Sequence, residues 1–182
     1  MEILETIRTR RSVRHYQDVP VADSDLKIIL EAARMAPSWK NTQCWRFIVV
    51  RDNEVKAELA EAMGDNTATE AVGGAPVVIV VCAELGKSGY IDDKVATEKG
   101  EYWFMFDVAL AMQNLVLAAH SLGLGTVIVG SFDAGRVAAA LGVPPGFAVV
   151  TMTPLGYPEY QPKPRPRKEP SEIIFHEKFG VS

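Results

Sequence analysis

The chain has 182 residues, 48% hydrophobic and 23% charged. That suffices for one domain with its own core (residues 1–182) and lies outside the composition of disordered chains. Nineteen basic residues against 23 acidic give a net charge of −4, which argues against general nucleic-acid binding, because that needs a broad basic surface. Cys44 and Cys82 lack the spacing of a zinc site or a CxxC motif. Likewise His15, His120 and His176 form no metal spacing, and no nucleophile elbow is present. Metal, acid–base and nucleophilic chemistry therefore lack an obvious carrier, and a bound cofactor is the natural place for the reaction.

The chain opens with Glu2 and Glu5 and no apolar signal segment, so a reducing cytoplasm is expected. Ile3 to Arg8 has helical spacing and leads into the basic run Arg8 to Arg14. Asp23 and Ser24 are expected to cap a helix through Leu26, Ile29, Leu30 and Ala33 that stops near Pro37. Arg46 to Val50 reads as a strand and Glu54 to Met63 as a helix. Gly73 to Pro76 should break the chain before Val77 to Val81, a β-branched run typical of a strand covered on both faces. Gly86 to Gly100 is polar and poorly patterned, which predicts a mobile loop.

Glu101 to Leu122 reads as a long helix, apolar nearly all round but interrupted by Asp107, Gln113 and Asn114. It falls short of the roughly 20 uninterrupted apolar residues of a membrane span; no membrane association is expected, and a helix this apolar is buried centrally or shared with a second subunit. Gly123 to Thr126 ends it, Asp133 can cap a helix to Leu141, and Phe147 to Met152 is another strand. From Pro158 the prolines predict an extended tail ending in Ile173-Ile174-Phe175.

Four segments could carry binding. In an extended Arg10-Arg11-Ser12-Val13-Arg14, alternation puts Arg10, Ser12 and Arg14 on one side, a donor set suited to an anionic oxygen group. The alternative is a solvated basic face. Pro37 to Trp45 joins a helix to a strand and holds carboxamides (Asn41, Gln43) and two indoles (Trp39, Trp45), with turn and core roles as the alternative. Gly123 to Phe132 brings glycines near a β-branched run. The spacing fits neither GxGxxG nor a P-loop, so a helix end followed by a strand is the competing reading. Lys163-Pro164-Arg165-Pro166-Arg167-Lys168 is a stiffened cationic stretch or simply an exposed basic tail.

Taken together and in this order, the segments resemble the nitroreductase family over essentially the whole chain. The resemblance rests on Ile7 to Tyr16, Ala36 to Phe47, Gly123 to Thr126, Leu155 to Pro158 and the Arg-Pro-Arg-Lys tail. It implies an α+β fold with a mixed, mostly antiparallel sheet flanked by helices, in an interlocked homodimer with FMN at the subunit interface. Arg10, Arg11, Ser12 and Arg14 would then hold the phosphate, ribityl chain and pyrimidine edge, with Arg165 and Arg167 completing the phosphate clamp. Pro37, Ser38 and Trp39 of the other subunit would border the isoalloxazine, and Asn41 would approach its polar edge. The backbone at Val129 and Gly130 would face the ring near N5. The implied reaction is ping-pong hydride transfer from NAD(P)H to nitroaromatic, quinone or similar small acceptors, with no catalytic side chain and no metal. Alternatives are flavin fragmentation, dehalogenation, azoline oxidation or a non-catalytic FMN-binding module. Against dehalogenation, Met63 to Ala75 is short and holds no tyrosine or lysine. Two departures stand out: Trp39 occupies a position where the family commonly has a small residue, and Cys44 one where it has proline.

Overall fold

Every residue from Val77 to Ala83 is buried, because the strand they form is central and covered on both faces. In the computed structural model, which describes residues 2–181, four strands pair antiparallel: β1 (Trp45–Val50), β2 (Val77–Glu84), β6 (Phe147–Gly156) and β5 (Gly125–Thr126), in that spatial order. Alternation along β2 divides the core. Val77, Ile79, Val81 and Ala83 pack towards α2 (Asp23–Arg34) and α5 (Trp103–Ser121). Val78, Val80 and Cys82 pack on the other side with α3 (Asn53–Glu61), α4 (Thr69–Gly74) and α6 (Ala134–Ala140). Each fully buried aliphatic side chain here contributes about 1.5–3 kcal/mol of transfer free energy. Trp45 is a core anchor, and both cysteines are free and buried.

The N-terminal helix α1 (Ile3–Thr9) and the strands fall where the spacing predicts, and Asp133 caps α6 through the Arg136 N–H. Other local readings are corrected. The N-cap of α2 is Ala22, without a side-chain bond, and Asp23 instead pairs with Arg51 at 2.6 Å. The break before Val77 stands as read, with Gly73 and Gly74 the last residues of α4, whose Ala71 and Val72 are in the core. The buried Lys56 ammonium donates to the Ala75 carbonyl at the end of that helix (2.7 Å), satisfying a group the helix itself cannot. Gly86 to Gly100 contains a hairpin, β3 (Tyr90–Ile91) with β4 (Lys94–Val95). Its turn residues Asp92 and Asp93 take φ of 48° and 58°, the sign a two-residue hairpin turn requires. Pro170 begins a one-turn helix, α7 (Pro170–Ile173), closed by a Glu169/Glu172 capping box; at the first helical position proline costs no hydrogen bond.

By length and composition alone, Gly100–Ser121 could cross a bilayer. It is instead the axis of the molecule, with Val108, Ala111, Met112, Leu115, Val116 and Ala119 in the core. Its first half keeps an apolar outer stripe, in which Tyr102 is 70%, Met105 48% and Phe106 57% exposed. The central burial expected of this helix is observed.

Candidate functional site

The two ends of α5 carry two different clusters. At its C-terminal end, α1 delivers the chain into the extended Arg10-to-Arg14 segment. Ser12 bridges Thr126 in parallel, and the Val13 N–H donates to the Thr126 carbonyl (2.9 Å). Gly125 permits this approach, since a Cβ there would lie 2.8 Å from the Val13 side chain. Val13 points inward at 4% exposure, so Ser12 and Arg14 face out, as alternation predicts. Tyr16 fastens the far end of the segment by donating its hydroxyl to the Val13 carbonyl (2.7 Å), and burial raises its pKa.

The C-terminal tail joins the same edge. Tyr16 bridges Pro158, and the Glu159 N–H donates to the His15 carbonyl (3.0 Å). Further along, Arg167 comes close enough to Arg10 to matter electrically. Burial, then Arg167, then Arg11 pull the Arg10 guanidinium below its ordinary value. Arg11 is held by the Arg8 and Arg10 carbonyls (both 2.8 Å). Among the described residues, none of Arg10, Arg11, Arg14, Arg165 and Arg167 forms an ion pair with a carboxylate. Crowded like charges without counter-charge are costly in a folded chain, and an oxyanion would offset that cost. His120, near the end of α5, sits 2.9 Å from the Thr9 hydroxyl. Burial, then Arg10 and Arg11, lower its pKa.

Val129 and Gly130 follow on the same edge. Both backbone groups of Val129 are spent on Met152, and its carbonyl also accepts the Thr151 hydroxyl (2.7 Å). Gly130 is exposed, its N–H has no partner among the described residues, and a Cβ there would meet nothing within 4 Å. Of the two, Gly130 is the one free to donate to a ligand.

Pro37 to Asn41 lies at the opposite end of α5. The Trp39 N–H donates to Oδ2 of Asp107 (3.0 Å), and the Trp39 indole N–H to the Tyr90 carbonyl (3.1 Å). The ring packs edge-on against Trp103, with centroids 5.0 Å apart at 62°. The Ser38 hydroxyl accepts from the Gln43 N–H (2.9 Å). Lys40, Asn41 and Gln43 have φ of 43°, 58° and 47°, a left-handed run that only asparagine among them tolerates readily. The Asn41 carboxamide is exposed and unpartnered among the described residues. Cys44 beside this cluster is inert, its thiol pushed up to about 11 by burial and then by Asp107.

Thirteen residues of helix separate Asp107 from His120, roughly 20 Å at 1.5 Å per residue. One chain therefore assembles the arginine segment, the 125–130 edge and the tail, but does not bring Pro37 to Asn41 to them. Sequence reasoning missed Asp107, Ser88, Trp103 and His120. The first was a visible signal, a lone acid in an apolar helix; the others carry none locally.

Comparison with known proteins agrees with this architecture. The family model described as the nitroreductase family matches residues 7–72 and 65–157. A protein of Archaeoglobus fulgidus, whose name pairs NADH dehydrogenase with NAD(P)H nitroreductase, is 38% identical over 162 residues (87% of this chain, 86% of that protein). The NADPH-flavin oxidoreductase of Vibrio harveyi is 32% identical over 178 residues (96% of this chain, 72% of that protein). Among solved structures, the NADPH:FMN oxidoreductase of Vibrio harveyi complexed with NAD+ superposes with a TM-score of 0.86 at 28% identity, covering 99% of this chain and 79% of that one.

Proposed function

Because the chain belongs to the nitroreductase family, we propose that it is an FMN-dependent oxidoreductase that uses NAD(P)H to reduce small acceptors such as nitroaromatics and quinones. The observation that carries this reading is the convergence of Arg10, Arg11 and Arg167, drawn from both ends of the chain and lacking a carboxylate partner among the described residues. That donor set fits the phosphate of a mononucleotide, because planar guanidiniums match phosphate oxygens in pairs.

When bound, FMN supplies the redox chemistry: a hydride is taken from NAD(P)H and electrons pass to the acceptor. The protein binds and orients. Arg10, Arg11, Arg14 and Arg167, with Arg165, hold the phosphate and its neighbourhood, and the Ser12 hydroxyl serves the ribityl chain. The backbone at Val129 and Gly130 would face the ring near N5, with the Gly130 N–H as the free donor and Val129 fixed by its bridge to Met152. Pro37, Ser38, Trp39 and Asn41 border the ring from a second copy of the chain. Two features support that pairing: the roughly 20 Å between the clusters, and the exposed apolar stripe of Tyr102, just before α5, and Met105 and Phe106 on it, with Ile3, Leu4 and Ile7 on α1. The free, buried thiols suit a reducing cytoplasm.

The test begins with colour. Purified protein should be yellow, bleach anaerobically with NADH or NADPH, and regain colour on adding a nitroaromatic or quinone. A colourless protein that FMN cannot reconstitute would overturn the reading. A yellow protein that leaves NAD(P)H untouched would be a binding module, and oxygen-dependent loss of flavin absorbance would indicate flavin fragmentation.

A further inference from the structure

Asp107 is 1% exposed, in the middle of an apolar helix. Its Oδ2 accepts both the Trp39 N–H (3.0 Å) and the hydroxyl of Ser88, itself 2% exposed. Its Oδ1 has no partner among the described residues. A buried, half-satisfied carboxyl group is costly, and an apolar residue would pack the helix better. What the group achieves is geometric. It ties together three elements: the left-handed loop at Trp39, the base of the β3–β4 hairpin and the first turns of α5.

The hairpin base cannot drift from that point. A Cβ on Gly89 would sit 2.3 Å from the Gly100 carbonyl oxygen, and the Ala96 N–H donates to the Gly89 carbonyl (2.9 Å). The hairpin in turn supplies the Tyr90 carbonyl that accepts the Trp39 indole N–H (3.1 Å), and Trp103 of α5 backs the ring. Trp39 is thus fixed at its backbone, at its indole nitrogen and along one side, yet remains half-exposed. Both of its hydrogen-bond donors are used. All it can offer a ligand is an electron-rich aromatic surface, whose favourable partners are flat, electron-poor rings.

We propose that Asp107, with Ser88, is a positioning residue that clamps Trp39 as a rigid aromatic wall, and that this wall selects flat, electron-poor aromatic acceptors. The proposal rests on the reading above, in which Trp39 borders the flavin of the partner subunit. A fixed wall loses no conformational freedom when an acceptor stacks on it, so the clamp acts on acceptor binding rather than on the flavin.

The experiment uses FMN-loaded protein labelled with 15N-tryptophan, in which the indole N–H resonance missing from Trp39→Phe identifies Trp39. Solvent exchange of that proton is compared in the wild type, Asp107→Ala, Ser88→Ala and Asp107→Asn. In the same proteins KM and kcat are measured with 1,4-naphthoquinone, which can stack, and with ferricyanide, which cannot. Both alanine variants should speed exchange roughly tenfold, the scale of loosening the neutral hydrogen bond from the indole to the Tyr90 carbonyl once the clamp is lost. They should also raise the naphthoquinone KM severalfold while ferricyanide kinetics, FMN affinity and the NADH bleaching rate hold. Asp107→Asn keeps an acceptor oxygen and should recover most of both effects. Should Asp107→Ala fail to fold, Ser88→Ala carries the same readouts. Faster exchange with an unchanged naphthoquinone KM, or equal KM shifts for both acceptors, would overturn the proposal. Wild-type protein that binds no FMN would fail the parent reading separately, and would remove the clamp's role with it.

Discussion

The two ends of α5 solve opposite problems. Around His120 the chain gathers Arg10, Arg11 and Arg167 without a carboxylate partner among the described residues, so that end is electrically under-satisfied. Around Asp107 the donors of Trp39 and Ser88 are all consumed, and three residues are held at positive φ. That end is sterically over-determined. The first arrangement stores attraction for an anion, and the second fixes a shape. Stability is sacrificed at both ends, in different currencies: charge repulsion at one, backbone strain and an orphaned carboxyl oxygen at the other.

The sharpest way to break this contrast is at the charged end. Arg10→Ala and Arg167→Ala should each weaken FMN binding by about 2 kcal/mol, roughly thirtyfold, with a reduced dependence on salt. The FMN-free protein should be no less stable, since each substitution relieves a repulsion. Fluorescence titration of FMN at two ionic strengths, together with thermal unfolding of the apoprotein, would measure both. A matching loss of apoprotein stability would show that the arginines serve the fold.

A smaller effect is expected at the other end. The Thr42 hydroxyl is buried and has no partner among the described residues. Thr42→Val should therefore be neutral or stabilising by up to ~1 kcal/mol in thermal unfolding, with FMN affinity unchanged. A clear destabilisation would mean that the hydroxyl is satisfied in solution.

The smallest concerns pH. The His120 pKa is depressed from 6.5 by burial, Arg10 and Arg11, so between its folded and unfolded values the unfolded chain binds the extra proton. Stability should fall as pH drops below 6.5 and reach a floor beneath the folded value. His120→Gln should flatten that slope, and bound FMN should shrink it by supplying negative charge. Melting temperatures across this range, with and without FMN, would show whether the slope belongs to His120.

Local pattern made much of this architecture legible. The β-branched run at Val77, the cap at Asp133 and the Arg10-to-Arg14 alternation each depend on near neighbours, and each stands as read. Failures arose where distant contacts override a local rule. The hairpin at Asp92-Asp93 is short and polar, so periodicity could not reveal it, although paired aspartates tolerate positive φ. Asp23 as a cap lost to Arg51, a partner 28 residues away. The joining of Arg165 and Arg167 to the Arg10-to-Arg14 segment was recognisable only through family resemblance, and the role of Asp107 only through what it touches.

The length of α5 carries a genetic consequence. In the pairing proposed above, a pocket that draws its cations from one chain and its aromatic wall from another could be rebuilt from two broken copies. An allele crippled at Arg10 and one crippled at Trp39 would each be silent alone, yet expressed together they would pair to leave one intact pocket in two. Two alleles damaged at the same end could never rescue each other, so complementation would sort mutations by the end of the helix they strike.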